Sequence, residues 1–186
     1  MKKFFLAAML ICLALTFTAC STESSVTTET KVSFSTNDLQ DSLDAGNKAY
    51  DAGKFDDAIK NFDKAIEIDN ECIPAYTGRG IAYAAKNDFD TAIKDFDKTV
   101  KLDANYAEGY SNRGQAYAEK GDAQKALADF NKAIELDPKY ATAYNNRGAL
   151  FAKAGDTDKA VADFKKALEL DPNDKTAAEN LKKITS

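Results

Sequence analysis

From Leu39 to Asp174 the sequence repeats every 34 residues. A chain built this way folds as a stack of similar modules, each burying its apolar face against the next, and not around one central core. The four repeats are residues 39–72, 73–106, 107–140 and 141–174, and places within a repeat are numbered 1 to 34 below. Position 8 is Gly46, Gly80, Gly114 and Gly148. Position 20 is Ala58, Ala92, Ala126 and Ala160, position 24 is Phe62, Phe96, Phe130 and Phe164, and position 27 is Ala65, Thr99, Ala133 and Ala167. Positions 20, 24 and 27 recur at helical spacing and make one apolar face. Positions 4, 8 and 11 do the same for an earlier helix, as Tyr110, Gly114 and Tyr117 show in the third repeat.

The punctuation between these faces is regular. Positions 15–16 are Gly53-Lys54, Asn87-Asp88, Gly121-Asp122 and Gly155-Asp156. Gly or Asn suits the left-handed residue that ends a helix, and Asp suits the start of the next. Positions 31–32 are Asp69-Asn70, Asp103-Ala104, Asp137-Pro138 and Asp171-Pro172. Proline disfavours helical geometry in the residue before it and so stops the second helix. Each repeat therefore reads as two antiparallel helices, with Gly at 8 facing Ala at 20 to allow close approach. Residues 175–186 continue helically, with Ala178, Leu181 and Ile184 on one face. Cys72, the only Cys within the repeats, reads as an apolar filler.

The period, the residues at 8, 20, 24 and 27, and the Asp-Pro ends together resemble the tetratricopeptide repeat family, including its bacterial lipoproteins. The resemblance implies an all-α, right-handed solenoid of four helix-turn-helix repeats, with residues 175–186 as a C-terminal capping helix. It places a concave ligand face on the first helix of each repeat. The peptide-binding residues it implies are Asn47, Thr77, Ile81, Ser111, Asn112, Gln115, Asn145 and Asn146. This row is rich in amides, which both donate to and accept from a peptide backbone. Leu43 and Glu108 stand where members that grip acidic chaperone tails carry basic residues, which argues against such a ligand. Position 7, usually Leu in the family, is here Arg79, Arg113 and Arg147, and Asp95, Asp129 and Asp163 occupy position 23 of the same repeats. The first repeat has neither, with Ala45 and Asn61 instead. Arg and Asp that appear and vanish together read as structural pairs, since the guanidinium fork satisfies a carboxylate bidentately. Pairing within a repeat and pairing between repeats both remain open at this level, as does a row of Arg donors toward a ligand.

Upstream, Lys2 and Lys3 precede the apolar run from Phe4 to Phe17, then Thr18-Ala19-Cys20. A cationic start, a short apolar core and a small-residue end form an export signal, expected over residues 1–19. Its end resembles a bacterial lipobox, with Ala19 before the cut and Cys20 as the lipidated residue, although Phe17 replaces the usual Leu. Ser21 beside the Cys implies sorting to the outer membrane. Residues 20–38 are rich in Ser, Thr and Glu and are expected to be a flexible tether.

The sequence contains no His and carries a net charge of -5. Histidine-based catalysis and histidine metal sites are excluded within it, and the acidic balance argues against nucleic acid. No phosphate loop or nucleophile elbow is present. The expected protein is non-enzymatic, without cofactor or metal. It would be anchored at the bacterial cell envelope through lipid alone and bind another envelope protein or peptide as a scaffold or assembly factor. The alternative is a self-associating structural envelope subunit, such as a homodimer.

Overall fold

Amphipathic segments of this length are marginal alone, so the pairing of each helix with its neighbours carries the fold. The structure, a computed structural model, describes residues 36–185. The export signal, Cys20 and the tether up to residue 35 lie outside the described residues. Nine helices are present among the described residues: α1 (Thr36–Asp51), α2 (Phe55–Ile68), α3 (Ile73–Ala85), α4 (Phe89–Leu102), α5 (Ala107–Lys120), α6 (Ala123–Leu136), α7 (Ala141–Lys153), α8 (Thr157–Leu170) and α9 (Lys175–Thr185). Sequential helices pair as antiparallel hairpins, α1 with α2 through α7 with α8. Each hairpin packs on the next, and α9 covers the open face of α7 and α8. The result is an all-α solenoid of four helix pairs and a capping helix. No described helix is long and apolar enough to cross a membrane.

The helix ends follow from local chemistry. Gly53, Asn87, Gly121 and Gly155 have φ of +71°, +63°, +86° and +82°, the left-handed region that lets the chain reverse after one turn. The next residue caps the following helix. The carboxylates of Asp88, Asp122 and Asp156 accept from the backbone N–H of Thr91, Lys125 and Lys159. Lys54 holds the same backbone shape, φ −92° and ψ 67°, but makes no such bond. At the other end, Asp69, Asp103, Asp137 and Asp171 leave helical geometry at φ between −136° and −131°. Each of their side chains accepts from the N–H two residues on, at 2.8–3.0 Å. Proline follows only Asp137 and Asp171, yet all four helices stop in the same register. The aspartate turn is thus the common stop signal, and proline reinforces it in two repeats. Helix α1 begins at Thr36, inside the span expected to be tether. Asp38 in its first turn favours the positive end of the helix dipole.

The core repeats with the sequence. Phe62, Phe96, Phe130 and Phe164 are each 1% exposed. They fill the notches left by Gly46, Gly80, Gly114 and Gly148, where an added Cβ would stand 2.6, 2.7, 2.9 and 2.9 Å from the ring. The glycine therefore makes room for the Phe at position 24 and not, as the spacing suggested, for the Ala at position 20. Those four alanines are nonetheless fully buried beside the rings. Phe62 is held from a second side as well, since a Cβ on Gly78 of the next repeat would meet its ring at 2.5 Å. Burying each ring contributes about 1.5–3 kcal/mol. Cys72 is buried with Ala65 and Ala75, and burial pushes its thiol above the ordinary range. In α9 the fully buried residue is Ala177, while Ala178, placed on that face by spacing, is exposed. Leu181 and Ile184 are half-buried.

Lys54 is the one missing cap in the otherwise uniform series that starts α2, α4, α6 and α8. Replacing it by Asn supplies a side-chain acceptor without adding charge beside Asp56 and Asp57. Lys54→Asn is expected to raise the unfolding free energy by about 0.5–1 kcal/mol, read from urea transitions of the full chain. Asp88→Ala is expected to lower it by a similar amount.

Candidate functional site

Two polar systems run along the stack: arginine braces that hold it together, and a row of side chains on α3, α5 and α7 that borders open space. In the braces, Arg79 Nε and Nη2 donate to the two carboxylate oxygens of Asp95 in the same repeat, at 2.9 and 2.6 Å. Its Nη1 donates to Asp63 of the preceding repeat at 2.6 Å. Arg113 binds Asp129 and Asp97 in the same way. Arg147 binds Asp163, but its third contact is the amide oxygen of Asn131. Each guanidinium thus spans both a repeat and a junction. The rings of Tyr76, Tyr110 and Tyr144 lie 5.4–5.6 Å from the three guanidinium carbons. Hydrogen bonding to Asp95 holds Arg79 protonated more firmly than usual, against the opposing effect of burial. Burial raises the Asp95 carboxyl above the ordinary range, and Arg79 offsets only part of that. With their forks occupied, the arginines are not free donors toward a ligand.

The junctions are unequal. Between the first and second repeats Lys86 pairs with Asp56, and between the second and third Lys120 pairs with Asp90. The matching places at the third junction are Ala154 and Gln124, which cannot form an ion pair. Asn131 replaces the bridging aspartate there too. The fourth repeat is therefore joined to the third without the two cross-junction ion pairs of its predecessors. It uses neutral acceptors instead, with Arg147 donating to Asn131 and Asn146 Nδ2 donating to Ser111 Oγ at 3.4 Å. The second-carboxylate positions, Asp63 and Asp97, escaped sequence reasoning, although their shared place at position 25 was a readable signal.

Of the eight residues expected to touch a ligand, the structure separates two groups. Thr77, Ser111 and Asn145 are 6%, 1% and 7% exposed and bond within the scaffold. Thr77 pairs with Thr99 at 3.4 Å, Ser111 accepts from Asn146, and Asn145 accepts from Asn180 of α9 at 3.1 Å. Position 5 packs between first helices and does not face open space. Asn47 is exposed but borders neither of the two cavities on this face.

Ile81, Asn112, Gln115 and Asn146 do line open space. A cavity of about 480 Å³ is bordered by Ile81, Asn112 and Gln115, with Tyr50, Phe89 and Phe96 as its aromatic walls. A second, of about 150 Å³, adjoins it and is bordered by Gln115, Asn146, Leu150 and Lys153. Gln115 and Glu119 line both. Asn112 Nδ2 is buried and has no hydrogen-bond partner among the described residues. Asn146 and Asn180, at the equivalent place, donate to position 5 of the preceding repeat. For Asn112 that residue is Thr77, whose hydroxyl pairs with Thr99, the threonine standing where the other repeats have Ala. Tyr50 and Glu119 lie on first helices, where the family resemblance puts the ligand face, whereas Phe89 starts the second helix α4 and falls outside the positions so marked. Among the described residues, no group of His, Cys, Asp or Glu is placed to hold a metal ion.

Comparisons with known proteins agree with this architecture. Family models described as TPR repeat match residues 46–87, 80–121 and 114–155, and one described as tetratricopeptide repeat matches 141–174. Such repeats are non-catalytic scaffolds, and the fold often mediates protein or peptide binding. No curated protein matches the chain. Among solved structures, MamA is 30% identical, with 73% of this chain and 80% of that one covered and a TM-score of 0.64. The first TPR domain of Spaghetti (RPAP3), solved bound to the HSP90 peptide SRMEEVD, is 29% identical, with 63% and 93% covered and a TM-score of 0.58. TTC0263 of Thermus thermophilus is 24% identical, with 78% and 80% covered and a TM-score of 0.73, a likeness of fold.

The unequal junctions make a direct test. Asn131→Asp gives Arg147 the bridging carboxylate that Arg79 and Arg113 already have. It is expected to raise the unfolding free energy of the full chain by about 0.2–1 kcal/mol in low salt. The gain should fade near 1 M salt, where screening reaches about 3 Å. An equal gain at both salt concentrations would show that the added charge does not act through Arg147.

Proposed function

We propose that this chain, which belongs to the tetratricopeptide-repeat family, is a binding scaffold or assembly factor held at the bacterial cell envelope, taking an extended segment of another protein along its concave face. The observation that carries this reading is the pair of adjoining cavities lined by Ile81, Asn112, Gln115 and Asn146. They are spaces that the scaffold's own packing leaves unfilled, bordered by amides suited to a peptide backbone. The HSP90 peptide bound to the RPAP3 domain supports it by analogy. Anchoring is supported by the apolar run from Phe4 to Phe17 and by Thr18-Ala19-Cys20, with Cys20 carrying the lipid. Ser21 after it favours the outer membrane.

Gln115 is exposed and stands between the two cavities, so a bulky residue there blocks both without disturbing the core. The immobilised full chain is expected to capture a specific protein from a detergent extract of the native envelope. One segment of that protein, made as a synthetic peptide, is expected to bind wild type and not Gln115→Trp, with helicity unchanged. A peptide that binds both equally moves the site off this face. A clean dimer with no captured partner favours the self-associating envelope subunit instead.

A further inference from the structure

The larger cavity carries more information than its position. Its apolar walls, chiefly Tyr50, Ile81, Phe89 and Phe96, leave about 480 Å³, within the roughly 300–1,000 Å³ of typical ligand pockets. A space of this size with aromatic walls suits a bulky apolar side chain. Among the described residues, its only charged lining residue is Glu119. That carboxylate makes no ion pair or hydrogen bond among the described residues, unlike the brace carboxylates, and it also borders the smaller cavity. Asn112, two turns earlier on α5, lines the same cavity with Gln115. The smaller cavity, about 150 Å³, has Ala118, Ala149 and Leu150 in its walls, and Lys153 lines it together with Glu119.

We propose that this face selects extended peptides in which a bulky apolar residue is flanked by Lys or Arg, the apolar side chain seated between α3 and α5 and the cation on Glu119. This rests on the concave-face reading above and adds the chemistry of the ligand. Charge complementarity sets it apart from the acidic peptide SRMEEVD bound by the RPAP3 domain. In the larger cavity Glu119 repels a Glu-Glu pair and no basic lining residue compensates it.

The probe is a displayed library of random dodecapeptides, selected on the immobilised full chain and, in parallel, on Glu119→Lys and Gln115→Trp. Wild type should enrich peptides with an aromatic or large aliphatic residue within two positions of Lys or Arg. Glu119→Lys should reverse the charge preference and weaken the best wild-type peptide about tenfold, and added salt should narrow that gap. Peptide SRMEEVD should bind wild type more weakly than the selected peptides. Enrichment of acidic sequences overturns the proposal, as does a wild-type preference unmoved by Glu119→Lys. If such peptides are still lost on Gln115→Trp, the concave-face reading survives that failure. Enrichment indifferent to Gln115→Trp, or no enrichment at all, overturns both.

Discussion

The structure depends on one contact made four times: a phenylalanine ring from the second helix of a hairpin seated where the first helix has no side chain. Phe62, Phe96, Phe130 and Phe164 are almost wholly buried, and a single added carbon at the facing glycine would overlap each ring. This contact sets how closely the helices of a pair approach. The flanking alanines complete a surface shaped to receive the next hairpin. Because the contact lies inside each hairpin, part of the surface of α1, α3, α5 and α7 is left free of it. That side carries the exposed amides, small residues and the two adjoining cavities.

Stacking the hairpins requires polar side chains to cross each junction without stranding charge. The arginines do this by dividing one guanidinium between a carboxylate of their own repeat and an acceptor of the repeat before. The first repeat has no predecessor, and Ala45 and Asn61 stand where the others carry the pair. At the third junction the acceptor is an amide and the neighbouring lysine–aspartate pair is missing. The smaller cavity lies at that junction, so the part of the face nearest the fourth repeat is joined by the weaker set of bonds.

Much of this was legible from the period. Gly and Asn at position 15 adopt the left-handed turn they were read for, and the helix pairs fall in the 34-residue register. Misreadings arose where several residues share one local signal. Proline seemed to end the second helices, but aspartate does so even where proline is absent. Glycine at 8 was matched to alanine at 20, because a repeat pattern reports which residues recur and not which ring turns toward which gap. Thr77, Ser111 and Asn145 sit one residue from less buried neighbours on the same helix, and a rotation of about 100° per residue decides whether a side chain packs or faces solvent. The arginine braces were visible as pairs. Their third arm reaches across a junction to a residue 16 positions earlier, a distance that only the stacked fold closes.

The central claim is that the face bearing the two cavities, and not another surface, meets the partner. Site-specific photo-crosslinking in the native cell tests it directly, with the photoreactive residue placed at Gln115 between the cavities or at Lys101, exposed on α4 and outside both. The account predicts a discrete adduct larger than the chain from position 115 and none from position 101. Adducts from position 101 alone, or an adduct from 115 with the mass of two copies of this chain, would contradict it.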